Sequence, residues 1–141
     1  MPRLEDLQDA YESLDWKLPM RGSQTIASEA LLAFDYEYPA QPQEITIDTN
    51  EFTAVCPWTG LPDQGTLIVT YAPDTLCIEL KSLKYYLLSF RDVGIVQEHA
   101  AARILHDLVG LLRPKRMHIR LDYNIRGGLH TVVNVEYPPV G

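Results

Sequence analysis

Cysteine is nearly absent from this chain: Cys56 and Cys77 are the only two among 141 residues. That count and spacing exclude a disulfide framework, a CxxC redox pair and a zinc knuckle, and a free, reduced thiol is expected at Cys56. The four histidines, His99, His106, His118 and His130, form neither HExxH nor HxH, so no metal site is expected. No GxGxxG string occurs, which removes a Rossmann dinucleotide site. No apolar run approaches the roughly 20 residues that cross a bilayer, and no membrane partner is expected. The opening MPRLEDLQDAYESLDWK is acidic and has no apolar stretch leading to a small-residue cleavage site. Neither a secretory nor a transit signal is expected, and the cytoplasm is the default location. Basic residues are scarce, 12 Lys and Arg against 19 Asp and Glu. So acidic a chain is a poor partner for duplex nucleic acid, whose affinity rests on many cation contacts to phosphate. Internal repeats and low-complexity tracts are lacking as well.

What is present is globular. A hydrophobic share of 46% beside 22% charged residues fits one domain with a real core. Charge is unevenly spread: residues 1–78 hold 3 basic and 13 acidic side chains, whereas residues 79–126 hold 9 basic and 5 acidic. A local basic block suits a small phosphorylated ligand. The plainer alternative is that these charges solvate helix faces.

Leu4, Leu7, Tyr11 and Leu14 recur at helical spacing, which predicts a short amphipathic helix over the first fifteen residues, interrupted by Pro19, Gly22 and Ser23. Residues 1–42 are expected to form a peripheral N-terminal arm, and 43–141 the main domain. EITIDTNEFTA and GTLIVTYAP alternate as strands, the second with Leu67, Val69 and Tyr71 on one face. Helical pattern follows from Leu80 to about Arg91, and again through Ala101, Ile104, Leu105, Leu108, Leu111 and Leu112 until Arg113-Pro114. Two more strands alternate through Met117, Ile119, Leu121 and Tyr123, then Leu129, Thr131, Val133 and Val135, joined by the turn Asn124–Gly128. His118 and His130 fall at outward strand positions. The order is ββααββ, an α+β fold: an antiparallel four-stranded sheet with two helices on one face. Its other face is half polar but carries Ile68 and Val132. Such a sheet covers itself by meeting copies edge to edge and closing into a barrel, so a homo-oligomer is expected.

Two strings carry chemistry. EFTAVCPWTGLPD, Glu51 to Asp63, places Cys56 seven residues before Asp63 in a segment stiffened by two prolines and a glycine: a nucleophile and a proton source on one tether. Taken singly, a lone cysteine is more often a small buried hydrophobe, and Pro62-Asp63 is ordinary turn chemistry. ELKSLKYY, Glu79 to Tyr86, sets the ammonium groups of Lys81 and Lys84 one helical turn apart beside aromatic rings. Glu98 falls at the start of the second helix, where the positive helix end favours a charged carboxylate.

These strings, together with SFRDVG and Gln97-Glu98-His99, resemble the short, single-module form of the 7-cyano-7-deazaguanine reductases. Those are NADPH-dependent nitrile reductases of queuosine biosynthesis, a tRNA modification, built on the tunnel fold. The resemblance covers roughly residues 43–137, and all eight positions of ELKSLKYY fit the string that separates the reductases from tunnel-fold relatives such as GTP cyclohydrolase I.

The resemblance implies a division of labour. Cys56 matches the nucleophile that adds to the nitrile of 7-cyano-7-deazaguanine to give a thioimide, which accepts hydride more readily than the nitrile does. A free thiol with a pKa of roughly 8.5 is only a few per cent ionised near neutrality, so its proton needs a manager. Asp63 matches that group and passes a proton toward the nitrile nitrogen. Two NADPH are consumed per amine formed. Glu98 matches the bidentate anchor for the guanine-like edge, with Ile78, Glu79 and Leu80 against the substrate. Gln97 stands where many members carry histidine; it can hydrogen bond but cannot shuttle a proton. Lys81 and Lys84 match the cationic pair for the cofactor phosphates, and Arg126 in the RGG turn is a further cofactor candidate. The site is expected between subunits, since one small unit offers little depth. Two other readings stay open: an amidinotransferase-like enzyme that traps the same thioimide with ammonia, and a purine-binding module with an inert cysteine.

Overall fold

The computed structural model describes residues 2–14 and 17–140. In chain order its elements are α1 (Gln8–Glu12), β1 (Ala33–Asp35), β2 (Ile45–Val55), β3 (Pro62–Ala72), β4 (Leu76–Ile78), α2 (Leu80–Leu88), α3 (Gln97–Leu112), β5 (Arg116–Tyr123) and β6 (Val132–Tyr137). The four long strands form one antiparallel sheet in the order β2-β3-β5-β6. Period-two alternation explains the sheet. Leu67, Val69 and Tyr71 of β3 stand opposite Leu121, Ile119 and Met117 of β5, and all six are buried. Each such side chain contributes about 1.5–3 kcal/mol on burial. Leu83 and Tyr86 of α2 and Ala100, Ala101, Ile104, Leu108 and Leu112 of α3 complete the same core.

Helix ends follow their residues. Glu79 caps α2 with both carboxylate oxygens, accepting from the backbone N–H of Lys81 at 2.9 Å and of Ser82 at 2.7 Å. The backbone N–H of Ser82, then of Lys81, hold its carboxyl below the ordinary range. α3 ends where Arg113 turns left-handed at φ 45° ahead of Pro114. Between them, the Tyr86 hydroxyl donates to Asp107 at 2.7 Å, and the same carboxylate accepts from Arg103 at 2.8 Å. This pins α2 to α3.

One departure from strict alternation positions the site. Thr49 pairs with Leu67 but Phe52 with Gly65, so β2 carries one extra residue in a bulge around Asn50 and Glu51. Before it, Ile45, Ile47 and Thr49 point inward with the core-facing residues of β3. After it, the inward set becomes Phe52 and Ala54.

The first 42 residues do not behave as one peripheral arm. A short 3-10 turn runs into α1, and Leu4, Tyr11 and Leu14 are exposed; residues 1 and 15 of the expected helix lie outside the described residues. From Leu18 onward, however, the chain packs into the domain. Ile26 and Leu31 are buried core residues, and β1 pairs with β4 as a second, two-stranded sheet. These apolar residues follow neither helical nor strand spacing, so periodicity gave no sign of them. A second correction concerns the last strand. It starts at Val132, because Leu129 and Arg126 exchange backbone hydrogen bonds across the turn. His130 therefore lies in the loop, bound to Asp122 at 2.6 Å, and not on an outward strand position.

Ser82 ties this segment to α2: its hydroxyl accepts from Leu32 N–H at 2.9 Å and donates to the Glu79 carbonyl at 2.8 Å. Ser82→Ala leaves the Leu32 donor without its partner, and a loss of about 1–3 kcal/mol in urea unfolding is expected.

Candidate active site

The six residues Cys56 to Leu61 close the β2–β3 hairpin, and their turn chemistry makes an anion pocket. Gly60, at φ 76°, donates its N–H to the Cys56 carbonyl at 2.7 Å, while Cys56 N–H donates to the Leu61 carbonyl at 2.9 Å. Folded this way, the backbone N–H groups of Trp58 and Thr59 and the Thr59 hydroxyl face the Cys56 sulfur. The same Thr59 oxygen accepts from Leu61 N–H at 3.1 Å, which fixes its rotamer. Successive N–H groups of this kind form a concave site for negative charge. Burial alone raises the Cys56 thiol, but these donors and the Arg126 guanidinium outweigh it, and the thiol sits below its ordinary value.

Neighbouring segments clamp the turn on both sides. Leu18 N–H donates to Thr59 O at 2.8 Å. Val55 exchanges backbone hydrogen bonds with Val93 and Ile95, and Arg21 with Asp92 and Gly94. Beside the turn runs an open groove of about 480 Å³ that includes Pro57, Trp58, Ile95, His99 and Arg103.

Asp63 is on β3 rather than in the loop, opposite Ala54 and on the inward face. Cys56 lies two residues beyond Ala54, just past the end of β2, and the charge of Arg126 acts on both Cys56 and Asp63. The Asp63 side chain is only 5% exposed, and Arg126 Nη1 donates to Asp63 Oδ1 at 2.6 Å. Burial pushes the Asp63 carboxyl up. Arg126 and a hydrogen bond from the Gln97 side chain pull it down, the charge of Glu98 pushes it up again, and the net position is above the usual carboxylate range. Tyr123 lies alongside, its hydroxyl held high by burial and then by Asp63 and Glu98. A thiol shifted toward the thiolate and a carboxyl shifted toward the acid thus share one end of the sheet. Such a combination is chemically able to add sulfur to an electrophile and to supply a proton.

Of the residues singled out in the sequence, Cys56, Asp63, Gln97, Glu98 and Arg126 gather at this end. Ile78, Glu79, Leu80, Lys81 and Lys84 do not. Ile78 N–H donates to the Tyr71 hydroxyl at 3.0 Å, and Tyr71 lies eight residues along β3 from Asp63, on the order of 25 Å at roughly 3.3 Å per residue. Ile78 is buried, whereas Leu80, Lys81 and Lys84 are exposed. Both oxygens of Glu79 are engaged in capping. Sequence reasoning missed Thr59, Leu18 and Tyr123. A hydroxyl inside a Cys-Pro-x-Thr-Gly turn was the signal for Thr59; a backbone contact such as that of Leu18 leaves none. Among the described residues no group of three or more His, Cys, Asp or Glu side chains is placed to hold a metal ion, and no helix is long and apolar enough to cross a membrane.

Comparison with known proteins supplies the family. The family model described as QueF, QueF-like protein, matches residues 62–139. The NADPH-dependent 7-cyano-7-deazaguanine reductase of Thermoanaerobacter pseudethanolicus is 51% identical over 82% of this chain and 87% of its own. That of Caldicellulosiruptor bescii is 47% identical over 93% and 98%, and that of Chlorobaculum tepidum 51% over 77% and 93%. A crystal structure of the archaeosine synthase QueF-Like in the apo form superposes with a TM-score of 0.66 at 21% identity, covering 72% of this chain and 99% of that one; this likeness concerns the fold.

A methyl group at Gly60 would stand 2.6 Å from the Leu18 carbonyl oxygen and 2.7 Å from Leu18 Cβ, at a positive φ. Gly60→Ala is expected to cost about 1–3 kcal/mol and to move alkylation of Cys56 to higher pH as the turn N–H groups draw away. Gly110→Ala, in open space on α3, serves as the control and should gain about 0.5–1 kcal/mol, with both read by thermal melts and iodoacetamide labelling.

Proposed function

The chain belongs to the QueF-like family, and from that premise we propose that it reduces the nitrile of 7-cyano-7-deazaguanine to the aminomethyl group with NADPH, as an oxidoreductase of queuosine biosynthesis. The observation that carries the mechanism is the opposed proton preference of Cys56 and Asp63 on one face of one hairpin. The Cys56 thiolate adds through Sγ to the nitrile carbon, one C–N π bond becomes a lone pair on nitrogen, and the Asp63 carboxyl gives that nitrogen its proton. The product is a neutral thioimide and an Asp63 carboxylate, balanced in charge by the thiolate consumed. Arg126 stands beside that new carboxylate. NADPH, when bound, supplies the hydride that carries the thioimide to the amine, two equivalents per nitrile. The turn donors that stabilise the thiolate also stabilise it as a leaving group when the carbon–sulfur bond breaks.

Glu98 is exposed in the first turn of α3, free to pair its two oxygens with the donor edge of a guanine-like ring. Gln97 holds Asp63 by hydrogen bond without titrating. Lys81 and Lys84 fit a phosphate-bearing cofactor: both are exposed, and the ion pairs among the described residues involve arginines and one histidine, not these lysines. Their distance from Cys56 supports a site completed by a neighbouring subunit. The remaining surface supports the same reading. β2 and β6 are the outermost strands of the sheet, Leu80, Tyr85 and Leu88 of α2 are exposed, and an apolar groove of about 300 Å³ lies between α2 and β2. Edge-to-edge closure into a tunnel-fold barrel covers these features and brings the lysines of one protomer to the thiol of the next. Residues 43–141 then supply the catalytic side chains, and the segment from Leu18 packs into the same domain.

Incubation with the nitrile and no NADPH should add the whole substrate mass to Cys56, and nothing in Cys56→Ala. The yield rate should be bell-shaped in pH: it falls at low pH as the thiolate is lost, and at high pH as Asp63, whose pKa is raised, ionises. Asp63→Asn should slow addition and remove the alkaline limb. A wild-type protein that reduces the nitrile without ever carrying this mass sinks the covalent route.

Lys81→Ala/Lys84→Ala should form the adduct yet fail to turn over with NADPH. Mixing it with Cys56→Ala after dissociation and reassembly should restore partial activity, because some sites then combine an intact thiol with intact lysines. No recovery on mixing would place the whole site within one protomer.

A further inference from the structure

The chemistry of the RGG turn made Arg126 a candidate ligand for cofactor phosphate, and the geometry gives its guanidinium a partner within the chain. It donates to Asp63 Oδ1 at 2.6 Å, with Asp63 5% and Arg126 50% exposed. The turn that presents it is stitched in place. Asn124 N–H donates to the Gln64 carbonyl, Arg126 and Leu129 exchange hydrogen bonds, and Tyr123 N–H donates to Thr131 O. Gly127 and Gly128, at φ 58° and 78°, make that reversal. On the outer face His130 closes the same loop onto Asp122 at 2.6 Å. Asp63 faces charged or titratable groups from the elements around it: Arg126 from this turn, Glu98 from α3 and Tyr123 from β5, besides the neutral Gln97, and Arg126 also acts on Cys56. Arg126 is the one cation in that set. A carboxylate so buried is otherwise driven to its neutral form.

We propose that Arg126 is the counter-ion of Asp63, a positioning residue that holds the acid's carboxyl group in the site and governs whether it carries charge. With the guanidinium in place, the carboxylate left after proton delivery has a partner and the acid can be regenerated. Without it, Asp63 keeps its proton and is no longer steered toward the hairpin. The role in proton delivery rests on the thioimide reading; the pairing itself does not.

Two readouts separate these. Thermal melts across pH on wild type, Arg126→Gln and Arg126→Lys need no substrate. Removing the cation leaves the folded-state pKa of Asp63 further above its unfolded value, so stability should be lost as pH rises. The Tm deficit of Arg126→Gln should therefore widen from acid toward alkaline pH, and Arg126→Lys should recover most of it. With the nitrile and no NADPH, the alkaline limb of adduct formation should move to higher pH in Arg126→Gln and return in Arg126→Lys. If Arg126→Gln is too unstable to melt, wild type in high NaCl takes its place, since screening of the half-exposed guanidinium should move the limb the same way. A Tm deficit independent of pH, with the limb unmoved and only KM for NADPH increased, overturns the proposal and makes Arg126 a cofactor ligand alone. A widening Tm deficit in a protein that forms no adduct supports the counter-ion and overturns the thioimide reading instead.

Discussion

The arrangement depends on one extra residue in β2. Without the bulge around Asn50 and Glu51, the face occupied by Ile45, Ile47 and Thr49 would continue through Val55, and Cys56 would turn away from the core-facing residues of β3. The insertion transfers Phe52 and Ala54 to the inward face. Cys56 follows two residues after Ala54, and Asp63 stands opposite Ala54. Register in a sheet is a matter of parity, so one residue is enough to decide which face a functional side chain joins.

Parity alone does not make a reactive pair; the two groups also need opposite electrostatic surroundings within one hairpin. The turn supplies backbone donors to sulfur, and the strand buries the carboxyl. Each effect is local, and Arg126 touches both. Its positive charge favours the thiolate, and its hydrogen bond limits how far burial can raise the acid. The same balance carries a stability cost, because a buried carboxyl with a raised pKa weakens the fold as pH increases.

Much of the sheet was legible because its residues obey simple periods. Leu67, Val69, Tyr71, Met117, Ile119 and Leu121 alternate and are buried, and α3 ends beside the proline expected to stop it. The candidate strings stood out by resemblance, and the geometry adds contacts no string announces: Glu79 caps α2, and Arg126 is paired with Asp63. The bulge left only a faint trace, since the apolar positions change from odd (Ile45, Ile47) to even (Phe52, Ala54) across Asn50-Glu51, and pairing with β3 shows the extra residue that causes the change of phase. The role of residues 18–32 was hidden for a related reason. Backbone contacts such as Leu18 to Thr59 are blind to side-chain type, and Ile26 and Leu31 fill core space from an irregular segment.

That irregular segment bears directly on the chemistry. The thiol turn has no regular secondary structure of its own, so its donors keep their aim only while something opposes their relaxation. Leu18 and Gly60 pack so closely that no side chain fits between them, and the Arg21–Val93 and Val55–Gly94 bridges extend the same clamp beneath the turn. Met20 is packed against Gly94 in turn. The chain ahead of β2 therefore acts as the outer wall of the Cys56 turn. A sheet-and-helix unit lacking residues 18–32 would retain Cys56 and Asp63 in sequence but lose the contacts that hold the turn donors around the Cys56 sulfur.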